Sequence, residues 1–271
     1  MKHKMYRLLI ADRDSSALER VKGLLDWKHY GFELIAEAAA YGEAANLALD
    51  LEPHVALIDA GRDYRKGIEL VRRLRAVGLR TVFCVISDSA DPECVHRAIE
   101  AGAQDYLLKP LSASQLQVFV EKTLAGGLNR FSTENTSRQE ADPILHLEYA
   151  ALSKHTNKLL MMVYSEYSSP PITLTSIAES LHMNSKYLGR IFLRETGMKF
   201  SEYLLAYRME EAKRLIIGTR EKISAVANTV GYPQLNRFYV HFRNYFGISP
   251  STLRRSDVLL GEDSPQEGDK L

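Results

Sequence analysis

The chain has 271 residues, of which 45% are hydrophobic, 25% charged and 9% aromatic, a composition that excludes disordered, collagen-like and membrane-embedded chains and suits about two domains. Its 35 basic and 34 acidic residues leave a net charge of +1, which taken whole points to no partner. Cys84 and Cys94 lack a Cys-x-x-Cys or paired histidines, which argues against a disulfide scaffold or structural zinc. The apolar run Leu8–Ala11 is too short for a signal peptide, and no stretch nears the ~18 apolar residues of a membrane span, so a cytoplasmic protein without membrane insertion is expected.

The first 124 residues alternate strand and helix. Apolar runs at Leu8–Ala11, Glu33–Ala38, Val55–Ile58, Thr81–Ile86 and Asp105–Leu108 predict strands buried on both faces, because they are continuous rather than alternating. Helical patterns lie between and after them: Leu18, Val21, Leu24 and Leu25; Gly42–Leu51; Ile68, Val71 and Leu74; Pro92–Ala101; and Ser112–Leu124. Five such units predict an α/β domain at 1–124, a doubly wound, five-stranded parallel sheet. Ligands of such sheets bind outside the carboxyl ends of the strands. Asp12, Asp59, Ser87 and Lys109 fall at those ends.

LLIAD (8–12), ALID (56–59), Gly67 in KGIEL, VIS (85–87) and DYLLKP (105–110) resemble the receiver domain of bacterial response regulators, a flavodoxin-like fold. The resemblance implies that Asp59 is the phospho-acceptor, attacking a phosphohistidine of a sensor kinase. It gives Ser87 a hydrogen bond to a phosphoryl oxygen and Lys109 a pairing with that oxygen's charge, across a cis bond to Pro110. It makes Tyr106 the aromatic switch, and it implies Mg2+ held by carboxylates, here Asp12 and Asp59. Phosphoryl transfer rests largely on such positioning and charge neutralisation.

The chain departs from that pattern at Arg13, which stands where a second acid is expected, and at Ala60–Tyr64, which lacks the usual Met-Pro. Three readings are open. Arg13 can point to solvent while Asp12 and Asp14 support weakened metal binding. Arg13 can occupy the metal position, pair with Asp59 and make phosphorylation unnecessary, since a fixed cation replaces an ion's charge. Or the pocket is vestigial and the domain only mediates contacts. Asp12-Arg13-Asp14 also resembles the Asp-x-Asp of haloacid-dehalogenase-type phosphatases, although the acids those need after a later strand are absent.

Residues 125–170 predict a linker and connecting helix. Ala125–Gly127 and Ser132–Asp142 read as a polar hinge, and a helical pattern resumes over Leu145–Tyr167.

The remainder resolves the charge. Residues 171–255 hold 13 basic and 6 acidic residues, a net +7, and residues 256–271 hold 1 and 5, predicting an acidic disordered tail. The basic segment repeats internally: IAESL (177–181) matches VANTV (226–230), and RIFLRETG (190–197) matches VHFRNYFG (240–247). Each copy reads helix–turn–helix. Thr173 is a cap, His182–Asn184 and Gly231–Pro233 are turns, and the second helices run from Ser185 to Gly197 and on to Gly247, the latter expected to bury Leu235, Phe238 and Phe242. A longer helix over Ser201–Ile217 joins them. An all-α domain at 171–255 follows.

Residues 177–204 and 231–254 resemble the AraC/XylS DNA-binding domain. A receiver followed by this domain resembles the YesN-type response regulators, as do LLDW (24–27) and GFEL (31–34). The resemblance implies that Lys186, Gly189 and Arg190 contact bases. In the second copy, Asn236, Tyr239, Val240 and Arg243 lie on the corresponding face, with Val240 an apolar tooth suited to methyl recognition. Arg194, Arg237 and Arg243 are expected at phosphates.

The expected function is a DNA-binding transcriptional regulator of a two-component system, not an enzyme. It would read two successive major-groove segments, under a receiver that is either phosphorylated on Asp59 or phosphorylation-independent. Partners would be double-stranded DNA, a sensor histidine kinase, RNA polymerase and a second copy of the chain. The alternatives are a phospho-relay or docking protein that binds a kinase, and the phosphatase above.

Overall fold

The computed structural model describes residues 5–62, 64–126, 140–169 and 172–261, with 256–261 known by their backbone alone. It divides into a unit at residues 1–165 and a unit at residues 166–271.

In the first unit, strands β1 (Tyr6–Ala11), β2 (Phe32–Ala38), β3 (Val55–Asp59), β4 (Val82–Ser87) and β5 (Asp105–Leu108) form a parallel sheet in the order β2-β1-β3-β4-β5. Helices α1 (Ser15–Leu24), α2 (Tyr41–Leu51), α3 (Arg65–Ala76), α4 (Pro92–Glu100) and α5 (Ala113–Ala125) follow the strands in turn. Both sheet faces are covered, which explains the continuous apolar runs. Leu8 and Ile10 pack with Leu18, Val21, Leu116 and Phe119 of α1 and α5. Leu9 and Ala11 pack with residues of α2 and α3 on the other face. Burying each such leucine or isoleucine contributes roughly 1.5–3 kcal/mol. Cys84 is fully buried, as its apolar setting suggested.

The strand order reverses between β1 and its two neighbours, β2 and β3. Ala11 pairs with Ile58, so Asp12 and Asp59 leave the sheet side by side. Asp59 pairs with Ile86, which brings Ser87 to the same edge.

The segment expected as a connector does not run free of the receiver. Residues 140–165 belong to the first unit. Asp142 is fully buried and accepts from the amides of Ile144 and Leu145, both at 2.9 Å. A 3-10 turn at Tyr149–Ala151 leads into α6 (Lys154–Glu166). Met161 of α6 joins the core beside α2 and α3. Lys158 pairs with Asp50 at 2.6 Å, and the Tyr164 hydroxyl donates to the Lys66 carbonyl at 3.2 Å. The hinge at 127–139 lies outside the described residues.

The second unit contains α7 (Leu174–Ser180), α8 (Ser185–Thr196), α9 (Phe200–Gly218), α10 (Ile223–Thr229), α11 (Leu235–Phe246) and α12 (Pro250–Gly261). Thr173 caps α7 in a reciprocal box with Ser176, and Asn184 caps α8. α9 supplies the central core, with Tyr203, Tyr207, Met209 and Ala212 buried. Phe192 of α8 packs on Phe200 and Tyr203, and Phe238 of α11 on Phe242. Two expectations need correction. Leu235, expected in the core, is 39% exposed in the first turn of α11. The tail expected to be disordered from 256 begins as helix, since α12 runs to Gly261. Its remainder, 262–271, lies outside the described residues.

Candidate phosphoryl pocket and nucleic-acid interface

The pocket is built by strand ends. Asp12 follows β1 and is 7% exposed, Asp59 ends β3 at 6%, and Ser87 ends β4 at 1%. Lys109, just past β5, donates from Nζ to Asp12 Oδ2 and Asp59 Oδ1, each at 2.8 Å. The Lys109–Pro110 bond is cis. Burial raises the Asp59 carboxyl above the usual carboxylate range and the neighbouring Asp12 adds to this, while Lys109 and Arg13 oppose it. Burial lowers the Lys109 value, but its hydrogen bonds to Asp12 and Asp59 outweigh that, and it stays protonated.

Ser87 Oγ accepts from the Ser89 amide at 3.1 Å, and the half-buried Tyr106 donates its hydroxyl to the Ser89 carbonyl at 2.8 Å. Tyr106 is thus tied to the loop that carries Ser87. Gly67, in the first turn of α3, lies against the β3 exit. A Cβ there would fall on the Asp59 carbonyl oxygen and 2.7 Å from Ala60 Cα.

The structure decides two open points about Arg13 and Asp14. Among the described residues, no ion pair joins Arg13 to Asp59; Lys109 fills that role. The exposed Arg13 guanidinium lies over the Tyr41 ring, 5.4 Å from its centroid, and Nη2 would be 3.2 Å from a Cβ at Gly61. Asp14 is turned away as the cap of α1. Its carboxylate accepts from the Ser16 amide at 2.9 Å and hydroxyl at 2.7 Å, with Arg20 at 3.6 Å. Those contacts hold it below its ordinary carboxylate value. Asp12 and Asp14 therefore do not face one site as a phosphatase Asp-x-Asp pair would.

The same geometry tests the implied Mg2+, a hard cation that takes oxygen donors. Asp12 and Asp59 are both engaged by Lys109, Arg13 follows where an acid is expected, and Asp14 serves α1. Among the described residues, no three His, Cys, Asp or Glu side chains gather as a metal site. The donor set does not fit a resident magnesium ion.

The second surface is formed by α8 and α11. On α8, Lys186, Arg190 and Arg194 are exposed. Gly189 is half-buried against α7, where a Cβ would lie 2.9 Å from Leu174 Cδ2. On α11, Asn236, Arg237, Val240 and Arg243 are exposed, while Tyr239 is half-buried with its hydroxyl 2.9 Å from Ser251 Oγ. Gly189 and Tyr239 thus take part in packing that sequence patterning did not reveal. Not every cation of the basic segment is free. Arg208 Nε donates to the Tyr167 carbonyl at 2.8 Å and Arg214 pairs with Glu211 at 2.7 Å. Lys186, Arg190, Arg237 and Arg243 make no ion pair among the described residues.

Residues 8–121 match the response regulator receiver domain, and residues 177–256 match a helix-turn-helix domain. The chain belongs to the response regulators. Its receiver is joined to an AraC-type helix-turn-helix domain, the YesN-type arrangement. This response regulator is 24% identical over 251 residues to the transcriptional regulatory protein HptR of Staphylococcus aureus strain N315, covering 91% of this chain and 97% of that one. It is 21% identical to the uncharacterized transcriptional regulatory protein YesN of Bacillus subtilis strain 168, covering 93% and 98%. Among solved structures, the C-terminal domain of the two-component response regulator yesN from Fusobacterium nucleatum is 32% identical, covering 38% of this chain and 99% of that one, with a TM-score of 0.37. No helix among the described residues is long and apolar enough to cross a membrane.

Proposed function

We propose that this response regulator is a DNA-binding regulator of transcription in a two-component system, reading two successive major-groove segments with α8 and α11. One observation carries the reading: two helices at equivalent places in a repeated unit each expose unpaired cations beside polar side chains able to reach base edges. The names of the relatives support a regulator rather than an enzyme. Lys186 and Arg190 are the base contacts of the first unit and Asn236 of the second. Arg194, Arg237 and Arg243 hold phosphates. Gly189 lets α7 approach α8, and Tyr239 sets α11 against Ser251. A sensor kinase, RNA polymerase and a second copy of the chain are the proposed protein partners.

For the receiver, we propose control without magnesium-assisted phosphorylation. Lys109 already bonds both Asp12 and Asp59, and the acid that would complete a cation site is replaced by Arg13. The test is intact mass after incubation with acetyl phosphate and Mg2+. The mass is expected to stay unchanged. Stoichiometric gain of about 80 Da, lost in Asp59→Asn, would overturn this part and leave the DNA-binding reading standing. Salt-dependent shifts of promoter DNA test the latter.

A further inference from the structure

The internal repeat sets the two reading helices in one-to-one correspondence. α8 and α11 each span 12 residues and each ends on a left-handed glycine, Gly197 or Gly247. Lys186 therefore corresponds to Asn236, and Arg190 to Val240. Val240 is 56% exposed, the most exposed large apolar side chain among the described residues. One turn to either side, Asn236, Arg237, Arg243 and Asn244 are all exposed and polar. The valine gains nothing for the helix, since a β-branched residue has lower helix propensity than arginine. It also leaves apolar surface in water, which is unfavourable unless a partner covers it.

We infer that Val240 is a specificity-determining residue that packs on the C5-methyl of a thymine in the major groove. This rests on the DNA-binding reading above and adds the base class to it. Thymine is the only base of the four with a methyl at the groove surface, and Asn236, one turn away, has the donor and acceptor pair that reads adenine. The second helix thus selects A·T pairs through an apolar contact framed by an amide. The first helix selects through the cations Lys186 and Arg190. Arg237 and Arg243, on the turns before and after, hold the backbone on either side of the valine.

The full chain is first used to select high-affinity duplexes from random DNA. Each thymine of the selected site is then replaced by uracil, which lacks only the methyl group. Affinity is expected to fall roughly fourfold at one or two thymines, all in one of the two segments, the change equivalent to about 0.8 kcal/mol for one buried carbon. In Val240→Ser those same replacements should leave affinity unchanged. Arg190→Ala should weaken binding through the other segment and preserve the uracil effect. Selection repeated with Val240→Arg should exchange thymine for guanine at that position. Undiminished uracil sensitivity in Val240→Ser, or none anywhere in the site, overturns the assignment. Failure of the wild-type chain to enrich any duplex overturns the DNA-binding reading itself, a result distinct from either.

Discussion

Lys109 holds two buried carboxylates with one ammonium, and that economy makes the charge on Asp59 a burden to the fold. The carboxyl of Asp59 is raised by burial and by Asp12 beside it. A raised value means that the folded protein binds this proton more tightly than the unfolded chain does. Stability attributable to the group therefore falls as pH rises through and above the ordinary carboxylate range. Asp59→Asn is expected to be more stable than wild type at pH 7, with the advantage shrinking as pH is lowered. Urea midpoints at neutral and acidic pH measure this, and a variant less stable at pH 7 would contradict it. At this scale the sequence is informative where chemistry coincides with strand ends: Asp12, Asp59, Ser87 and Lys109 all converge. It is uninformative about Arg13, because the ring that receives it, Tyr41, is on a different element and carries no motif.

Among the elements, α6 is the one whose role the sequence conceals. Helical spacing over Leu145–Tyr167 predicts the helix. Its partner cannot be read from spacing, since Lys158 and Asp50 are 108 residues apart. The join centres on Arg73, which is 4% exposed. Its guanidinium donates to Glu69 at 2.9 Å and to the Tyr149 hydroxyl at 2.9 Å, and lies 4.4 Å from the Tyr164 ring centroid. Tyr149 in turn reaches Asp142 at 3.2 Å. Burial raises the Tyr149 hydroxyl above its usual value, so it remains a neutral donor. Breaking such a buried network costs about 3–5 kcal/mol. Arg73→Ala is expected to lose stability of about that size, with hydrogen exchange accelerating first in residues 142–165 and last in the strands. Uniform acceleration across the unit would mean that the segment is not a separable layer. The reading helices are the opposite case. Their turns and terminal glycines are local signals, so both helices are legible in the sequence, while the exposed Leu235 and the packing of Gly189 and Tyr239 depart from the pattern.

For the whole molecule, net charge misleads until it is divided. The basic segment is +7, yet Arg208 and Arg214 are occupied within the domain. The number of cations free for phosphate is accordingly smaller than composition implies. Each phosphate neutralised contributes roughly −0.9 to the slope of log affinity against log salt. Arg194→Ala is expected to weaken binding to all duplexes alike and to reduce that slope by about 1, whereas Arg190→Ala acts mainly on the preferred sequence. Titrations at several salt concentrations separate the two, and equal losses on all sequences for Arg190→Ala would make it a phosphate contact. The two-module plan is legible because one half alternates strand and helix and the other repeats itself. The boundary between modules is not, since polar composition marks where the chain leaves α5 but not where it stops packing on α2 and α3.

That boundary determines where modules can be exchanged. A chimera joined after residue 125 would discard Met161, Lys158 and Tyr164, uncovering apolar surface of α2 and α3 and leaving Arg73 without its aromatic cover. A chimera joined beyond residue 165 carries the covering helix with its receiver. The transferable cassette is therefore receiver plus α6, and a different output domain grafted behind it leaves α2 and α3 covered by that helix.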